Sequence, residues 1–333
     1  MDKILMGHGS GGRMMHELIS SVFAPAFGIT GLGDAAVLEA ASGGKLAMTT
    51  DSCVVSPLFF PGGNIGELAV NGTVNDLAMV GAEPLYLTSG FIIEEGMPMD
   101  DLKRIIGSMA EAASLAGVKI VAGDTKVVDK GKGDGVFINT AGVGLIPEGV
   151  DLSPAFIREG DIIVISGEMG RHGMAVMSER NGLSFDPPVV SDTAALNGLT
   201  SLMVKAADGG LRAMRDPTRG GVATTLKEFA IESGLSMELD EEELPVPAGV
   251  RGGCDLLGLD PLFVANEGLL LAVVSGDVSE YLLKEMRGHP LGAGACAIGR
   301  VLSGPEGRVS LRTSIGGTRL VDMLEGGQLP RIC

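Results

Sequence analysis

The sequence is short of aromatic and basic residues. Tryptophan is absent, and two tyrosines and ten phenylalanines occur among 333 residues, so the core must be built mainly from aliphatic side chains. Lysine and arginine together number 25 against 42 aspartates and glutamates, which gives a net charge of −17. Nucleic acids and anionic membrane surfaces both require a basic face on the protein. The composition therefore argues against either of them as a partner.

Cysteine pairs and long apolar runs are also missing. The four cysteines form no C-x-x-C motif, which disfavours a zinc site or a thioredoxin-type centre. No apolar run approaches the roughly 18 residues that a membrane span needs. The first residues carry charges and glycines where a signal peptide has an apolar stretch. These absences predict a cytoplasmic protein with reduced thiols.

Periodic patterns predict both helices and strands. Apolar residues at helical spacing predict helices over 64–82, 99–118 and 196–215, and a further helix within 216–235. Runs rich in β-branched residues predict strands at 45–55, 84–95, 119–128, 135–146, 160–170 and 269–276.

The length and the pattern of elements predict two domains and a tail. A chain of 333 residues is long enough for two domains of ordinary size. A new strand starts after residue 160, so we place the boundary near 150. We expect an N-terminal domain over 1–150, a second domain over 151–306, and a glycine-containing tail over 307–333.

Five aspartates lie in related contexts. They are Asp34 in GLGDAAV, Asp51 in TTDS, Asp76 in NGTVNDLA, Asp124 in AGDTK and Asp216 in DPTRGG. Mg²⁺ prefers oxygen ligands and is usually held by one or two carboxylates together with substrate phosphates. Aspartate also favours turns and helix caps, which is the alternative for each residue taken singly. As a set, they predict a metal–phosphate site.

The segment DPTRGG, residues 216–221, precedes a predicted helix. Its proline and paired glycines would present free N–H groups at the positive end of the helix dipole, and Arg219 would add a phosphate contact. No G-x-x-x-x-G-K-[ST] motif occurs, so the chain is not a P-loop protein. The segment GHGSGGR, residues 7–13, follows no strand, so it is not a Rossmann loop. It is either a flap over phosphates or a disordered N-terminus.

Other polar residues allow more than one interpretation. Lys126 follows Asp124 by two residues on a predicted strand, so both side chains point to one face. They form either a simple ion pair or, through Lys126, a phosphate ligand or a base. Glu267 precedes an apolar strand and is either an acid at the sheet edge or a general base. The histidines show no metal spacing, and we interpret His172 and His289 as structural.

Cys333 is the last residue of the sequence, at the end of LPRIC. Terminal residues are usually loose, and a terminal side chain makes a poor core residue. The thiol is either an accident of where the chain stops or a functional group on a tail that reaches up to about 90 Å when extended. Cys53, Cys254 and Cys296 have small or apolar neighbours, and we interpret them as ordinary half-buried thiols.

Taken in order, these segments resemble the HypE family of hydrogenase maturation factors, the carbamoyl dehydratases. The resemblance covers essentially the whole chain, and the segments that carry it are HGSGGR, TTDS, VVSPLFFPGGNIGELAVNGTVNDLA, AGDTKVV, FINTAGVG, DPTRGGVAT, ANEG and PRIC. The wider superfamily includes aminoimidazole ribonucleotide synthetase, selenophosphate synthetase and thiamine-monophosphate kinase, which resemble it in the aspartate segments but lack the PRIC ending. GLGDAAV has one aspartate before the alanines where relatives often have two, which leaves the number of metal ions open.

The resemblance implies an α/β (α+β) two-domain PurM-like fold. The N-terminal sheet would form a barrel across a homodimer, with ATP near that interface. A C-terminal α/β domain would pack beside it, and a mobile tail would carry Cys333.

The same resemblance implies a reaction in [NiFe]-hydrogenase maturation. The HypF carbamoyltransferase would place a carbamoyl group on the Cys333 sulfur. ATP would activate the amide oxygen, and dehydration would leave a thiocyanate. The cyanide would pass to iron on a HypC–HypD scaffold, and the cofactors would be ATP and Mg²⁺.

The resemblance also assigns site residues by position. It implies catalytic roles for Cys333, Lys126 and Glu267. It implies a nucleotide site made of Asp34, Asp51, Asn71, Asp76, Asp124, Thr125, Arg219 and Gly220. It implies that Mg²⁺ is held by Asp34, Asp51, Asp76 and Asp216.

Two other functions compete with this interpretation. A selenophosphate synthetase-like phosphotransferase of the same superfamily would act on a small molecule and would keep its activity without residues 331–333. A binding module whose C-terminus is captured by a partner would not hydrolyse ATP. The PRIC ending argues against the first, and the aspartates argue against the second.

Overall fold

Two β-sheets, each packed against helices, account for most of this computed structural model. The structure describes residues 12–18, 20–21, 36–39, 44–324, 329 and 331–333. The strands of the first sheet lie between residues 36 and 146, and those of the second lie between 162 and 321. The mixture of strands and helices is as predicted.

The first half alternates strands and helices. In chain order its elements are α1 Arg13–Leu18, β1 Ala36–Glu39, β2 Lys45–Cys53, β3 Phe59–Phe60, β4 Gly63–Asn64, α2 Ile65–Met79, β5 Glu83–Glu94, α3 Met99–Ala116, β6 Lys119–Val128 and β7 Val136–Ile146. The first sheet has the order β1-β2-β7-β5-β6. Strands β5 and β6 are parallel and are joined through α3, whereas the other neighbours are antiparallel. Strand β6 therefore lies at one edge.

Helix α2 covers the inner face of the first sheet. It begins at a capping box, because the Asn64 side chain accepts from the N–H of Gly66 (2.8 Å) and Glu67 accepts from the N–H of Asn64 (2.9 Å). Of its fifteen residues, only Glu67 and Asp76 are less than fully buried. A helix that is apolar on nearly all sides is an interior helix, so α2 is a rigid base for any side chain that it presents.

The second half continues the alternation. Its elements are β8 Ile162–Ile165, α4 Arg171–Asn181, α5 Asn197–Ala206, β9 Leu211–Arg215, α6 Gly221–Ser233, β10 Ser236–Asp240, α7 Ala248–Leu257, β11 Leu271–Val274, α8 Gly276–Arg287, β12 Cys296–Leu302, β13 Val309–Arg312 and β14 Thr318–Val321. The second sheet has the order β14-β13-β10-β12-β8-β11-β9. Helix α6 packs on one face, and α5 and α8 pack on the other. Alternate residues of β8 and β11 enter the two cores, as expected for central strands covered on both faces.

Two parts of the sequence prediction are wrong. The helix predicted over 196–215 ends at Ala206, because Asp208 and Gly209 take left-handed conformations (φ 44° and 80°) that stop it. The residues that follow form β9, which pairs with β11.

Residues 309–321, which the sequence assigns to the tail, form β13 and β14. Strand β13 pairs parallel to β10, so regular structure extends well beyond residue 307. The boundary at 150 stays a prediction.

None of the described helices is both long and apolar enough to cross a membrane. The helix with the most residues, α3, has one buried stripe and one charged face.

Candidate functional site

The last three residues of the chain are seated between the two halves of the molecule. The N–H of Val54 donates to the main-chain oxygen of Cys333 (3.1 Å), and the N–H of Ser56 donates to the carbonyl of Arg331 (3.3 Å). The Nε of Arg331 donates in return to the carbonyl of Val54 (3.0 Å). Ile332 is 2% exposed and packs in the core of the first half. The end of the predicted mobile tail therefore occupies an interior position in this structure.

Helix α4 of the second half holds the tail from the other side. His172 Nε2 donates to the carbonyl of Ile332 (2.8 Å). Arg180 Nη2 donates to the carbonyl of Arg331 (2.8 Å). Both side chains bind main-chain carbonyls, so α4 contacts the backbone of the tail through these two residues.

The seat places the Cys333 thiol among charged side chains. Burial raises the pKa of this thiol well above its usual range. The Arg219 guanidinium opposes that shift, while the negative charges of Glu267, Asp51 and Asp216 add to it. Because the thiolate is the reactive form of cysteine, the seated thiol is protonated at neutral pH and is a weak nucleophile.

Arg219 belongs to the DPTRGG loop, which leads into α6 as predicted. Gly220 and Gly221 have φ values of 80° and 60°, and a Cβ on Gly221 would lie 2.5 Å from the carbonyl oxygen of Leu262. Only glycine fits such a turn. The positive end of the α6 dipole thus lies next to Arg219. Interaction with the Cys333 sulfur in its ionised form, and with the nearby acids Asp51 and Glu267, raises the pKa of Arg219, so its guanidinium stays charged.

Glu267 is buried beside the same cluster, and Asp192 fixes its main chain. The Asp192 carboxylate accepts from the N–H groups of Glu267 (3.3 Å) and Gly268 (3.1 Å). The Glu267 side chain is 3% exposed, and its Oε1 has no hydrogen-bond partner within the described part of the chain. Burial raises the pKa of Glu267, and the charges of Asp51 and Asp216 raise it further. A buried carboxyl group with a raised pKa is a candidate for proton transfer.

Asp51 comes to the cluster from β2, close to α2. A Cβ on Gly72 would lie 2.8 Å from Asp51 Oδ2, so glycine at this position leaves room for the carboxylate. Asp76, one turn further along α2, accepts from the Thr49 hydroxyl (2.8 Å). Strand β2 and helix α2 therefore hold these two carboxylates, and Asp216 approaches from the second half.

The carboxylates suit Mg²⁺ in their chemistry. Oxygen donors are the ligands this ion prefers, and the acids that raise the pKa of Glu267 carry charge that a divalent cation would offset. Among residues 44–324 and the other described positions, however, no three His, Cys, Asp or Glu side chains form a group that could hold a metal ion. Phosphate oxygens would have to complete the coordination.

Three predicted residues lie on the surface, away from Cys333. Asp124, Thr125 and Lys126 are on the edge strand β6, and Lys126 Nζ binds both oxygens of Asp124 (2.7 and 2.6 Å). The ion pair is more than two-thirds exposed on each side. The hydrogen bond from Lys126 lowers the pKa of Asp124, and the N–H of Thr125 lowers it further. Within one chain, the structure does not bring these residues to Cys333.

Of the remaining predicted residues, Asn71 and Gly220 belong to the described part of the structure and Asp34 does not. Asn71 on α2 is buried, and its Nδ2 donates to the Thr193 hydroxyl (3.2 Å) across the two halves. Gly220 adjoins Arg219 in the loop before α6. Asp34 lies outside the described residues, as does most of the segment GHGSGGR.

Sequence reasoning did not identify four contributors: Cys53, His172, Arg180 and Asp192. Cys53 is 1% exposed and lies in the cluster; burial raises its pKa well above the usual range, and the charges of Asp51 and Cys333 add to the shift. His172 and Arg180 donate to main-chain carbonyls. Every residue has such a carbonyl, so these contacts produce no recognisable sequence motif. Gly268 is an indirect indication of Asp192. A Cβ at residue 268 would lie 1.7 Å from the main-chain oxygen of Asp192, so glycine allows these two segments to pack closely.

The arrangement combines a thiol, a guanidinium and an acid with a raised pKa in one enclosed place. Arg219 can stabilise negative charge next to the sulfur, and Glu267 can take up or give a proton there. The site is therefore suited to a reaction of a group attached to Cys333.

Comparison with known proteins places the chain in a family. Residues 32–146 match the family model for the N-terminal domain of AIR synthase related proteins, and residues 158–312 match the model for the C-terminal domain. Over 333 aligned residues the chain is 53% identical to the carbamoyl dehydratase HypE of Rhizobium leguminosarum bv. viciae, covering 99% of this chain and 95% of that protein.

Solved structures agree with this assignment. A HypE–HypF complex contains a chain with a TM-score of 0.87 and 50% identity, covering 92% of this chain and 99% of that one. HypE in complex with ATP has a TM-score of 0.84 and 48% identity, covering 99% and 100%. The predicted two-domain α/β fold is confirmed. The chain belongs to the AIR synthase related proteins and, within them, to the HypE family of carbamoyl dehydratases that act in hydrogenase maturation.

Proposed function

We propose that this chain dehydrates a carbamoyl group carried on the Cys333 sulfur, at the expense of ATP, and leaves a thiocyanate. The cyanide would then become a ligand of the active-site iron of [NiFe]-hydrogenase. Family membership and the solved complex of HypE with ATP support the proposal. The observation that carries it is the seating of Cys333 among Arg219, Glu267 and Asp51.

The overall chemistry is the removal of water from a primary thiocarbamate. S–C(=O)–NH₂ becomes S–C≡N: the carbon–oxygen bond breaks, and both N–H protons leave. An amide oxygen is a poor leaving group, and bound ATP would supply the phosphoryl group that converts it to phosphate. The products are the thiocyanate, ADP and phosphate. The protein must hold the carbamoyl group, exclude water and accept a proton.

Glu267 is our candidate for accepting the proton. Its Oε1 is buried without a hydrogen-bond partner in the described residues, and its raised pKa makes it a stronger base than an exposed carboxylate. Arg219, close to the Cys333 sulfur, would stabilise negative charge on the oxygen as that oxygen leaves.

The acidic residues would hold the nucleotide through Mg²⁺. We propose Asp51, Asp76 and Asp216 as ligands, together with Asp34 by its position in the sequence. Asn71 and Gly220 would complete the nucleotide site.

A homodimer would give the exposed residues of β6 a role. Large apolar side chains are exposed on the strands of the first sheet: Met48, Tyr86, Ile92, Val121, Val127 and Leu145. Strand β6 also has no partner on its outer edge within the described chain. The free N–H and C=O groups of such an edge can pair with another chain. We propose that two such sheets join into a barrel, so that Asp124, Thr125 and Lys126 lie at the interface near ATP. Lys126 would orient the carbamoyl group there.

Loading and delivery would require the tail to leave its seat. The seated thiol is protonated and its residue is half-buried, so it is unsuited to accept a carbamoyl group. We propose residues 1–150 as the ATP-binding and dimerisation domain, residues 151–306 as the C-terminal α/β domain, and residues 331–333 as the part that leaves the seat. HypF, seen in complex with a HypE, would load Cys333 in the cytoplasm, and a HypC–HypD scaffold would receive the cyanide.

The Cys333→Ala variant tests the proposal. We expect it to bind Mg·ATP with unchanged affinity in calorimetry but to form no cyanated product with HypF, carbamoyl phosphate and ATP. A cyanated species from this variant would contradict the proposal. Deletion of residues 331–333 tests the phosphotransferase alternative, which predicts undiminished turnover of a small acceptor.

A further inference from the structure

Three consecutive main-chain oxygens of the tail are bound in the seat, and they are not bound alike. Those of Arg331 and Cys333 accept from main-chain N–H groups of the segment 54–56, and that of Arg331 also accepts from Arg180 Nη2 (2.8 Å). The carbonyl of Ile332 between them accepts from the His172 ring, at 2.8 Å. Within the described residues it is bound by this side chain and by no main-chain N–H group. One side chain therefore controls the carbonyl that directly precedes the reactive cysteine.

The surroundings of His172 fix the direction in which it donates. A carbonyl only accepts, so Nε2 carries the hydrogen. Nδ1 then accepts from the Ser191 hydroxyl (2.9 Å), and that hydroxyl accepts in turn from the N–H of Thr193 (3.1 Å). Burial lowers the pKa of His172, which keeps the ring neutral and maintains this tautomer. Phe60 packs edge-on against the ring, with 5.3 Å between centroids.

These contacts fix the imidazole in an orientation that suits the seated tail. His172 is fully buried, so its Nε2–H would lose its acceptor if Ile332 moved away. A buried donor without an acceptor is unfavourable, and the energy difference favours the seated tail. Since Ile332 adjoins Cys333, the same bond sets where the sulfur lies relative to Arg219 and Glu267.

We propose that His172 is a positioning residue that holds the C-terminal tail in its inward seat by donating Nε2–H to the carbonyl of Ile332. Its direct consequence is a lower exposure of the Cys333 thiol. Its consequence for catalysis rests on the proposed function: dehydration needs the seated tail, whereas loading needs the released one.

The test measures the alkylation rate of Cys333 by iodoacetamide in the full-length protein without nucleotide, resolved by peptide mass spectrometry. We expect His172→Leu, which has no donor, to speed alkylation of Cys333 about tenfold, as the loss of one hydrogen bond implies. His172→Gln can place an N–H near the position of Nε2, so we expect its rate to stay close to wild type. His289→Gln is the matched control, because His289 caps a turn through Leu291 and should have no effect.

Cys254 serves as the internal control, because it is 1% exposed, lies in a different core cluster and reacts only when the fold opens. Cys53 is unsuitable as a control because it packs in the same cluster as Ile332 and Cys333. The proposal is overturned if His172→Leu leaves the Cys333 rate unchanged, if His172→Gln speeds it as much as His172→Leu, or if Cys254 accelerates with Cys333. This assay needs neither ATP nor a carbamoyl group, so its failure is separate from failure of the proposed function. In single-turnover assays we further expect His172→Leu to slow dehydration and not the preceding carbamoylation, with His172→Gln restoring the rate.

Discussion

Single residues in this site are tuned by burial and by like charges. Glu267 and Cys333 share the neighbours Asp51 and Asp216, and the pKa of each is raised. Each shift favours the neutral form of the group. A cation or a bound phosphoryl group would change the charge that both groups face.

A Glu267→Gln variant tests the acid at this scale. Because the folded-state pKa of Glu267 is raised, the folded protein keeps a proton that the unfolded chain releases at lower pH. Wild-type stability should fall as pH rises from the ordinary carboxyl range through that raised pKa. The glutamine variant lacks this loss, so its advantage in urea unfolding should grow from pH 5 upward, by about 1.4 kcal/mol per pH unit until the folded-state pKa is passed.

The same variant should lose catalysis. Removing a general base typically costs 10²–10⁴-fold, and we expect a fall of about a hundredfold or more in the dehydration rate, with Mg·ATP affinity retained. Asp192→Asn, which leaves the carboxyl of Glu267 intact, is the comparison. Equal dehydration rates in Glu267→Gln and wild type would contradict the role given to Glu267.

The candidate residues were predictable to different degrees, and for physical reasons. Asp51, Asp216, Glu267 and Cys333 lie in recognisable local segments, and the structure brings them together. His172 was treated as structural because a histidine that binds a main-chain carbonyl 160 residues away leaves no pattern in the sequence. The spacing of residues along the chain indicates which side chains are neighbours within one helix or strand. It does not indicate contacts that form only when distant segments pack together in the folded protein.

At the scale of elements, helix α2 is central because it faces the first sheet on one side and the second half on the other. Asn75 on this helix binds the carbonyls of Ala194 (3.1 Å) and Glu267 (3.3 Å) and accepts from the N–H of Leu196 (2.8 Å). Helix α2 therefore links the carboxylates of the first half to the main chain of Glu267.

A Gly72→Ala change tests the close approach of α2 to Asp51. The new Cβ would meet Asp51 Oδ2 at 2.8 Å, so the carboxylate must move. We expect affinity for Mg·ATP to fall about tenfold in calorimetry, in line with the loss of a charge-assisted contact. Stability should change by less than about 1 kcal/mol, because alanine favours a helix more than glycine does.

Gly107→Ala on α3 is the matched control for that change. No atom of the described residues beyond its own helix lies within 4 Å of the added Cβ, so this variant should be slightly more stable and bind Mg·ATP as wild type does. Unchanged nucleotide affinity in Gly72→Ala would show that Asp51 does not hold the metal and nucleotide.

Element prediction succeeded where the pattern was long and uniform. Helix α3 and strands β6 and β7 lie within two residues of their predicted bounds. Strand β9 was missed because its five apolar-rich residues fit the spacing of the preceding helix, although Asp208 and Gly209 between them form a turn signal. Strand β14 was missed because a short strand with three exposed residues looks like a loop.

At the scale of the whole molecule, the edge strand β6 is where the proposed dimer would form. Val127 is 68% exposed on this strand, and a barrel formed by two sheets would bury it. We expect Val127→Lys to weaken dimerisation at least about tenfold in sedimentation equilibrium, because a charge would be buried without a partner. Leu115→Lys, at an 82% exposed position on α3, is the control and should leave dimerisation unchanged. Equal dimerisation in both variants would exclude this face as the interface.

The central claim is that Cys333 carries the group on which the reaction takes place. Intact mass spectrometry of the chain, incubated with HypF, carbamoyl phosphate and ATP and then with excess Mg·ATP, tests it most directly. We predict a gain of about 43 Da followed by a loss of about 18 Da, both mapped to Cys333, as carbamoylation of a thiolate and its dehydration require. ATP consumption with no change in mass at Cys333 would contradict the account.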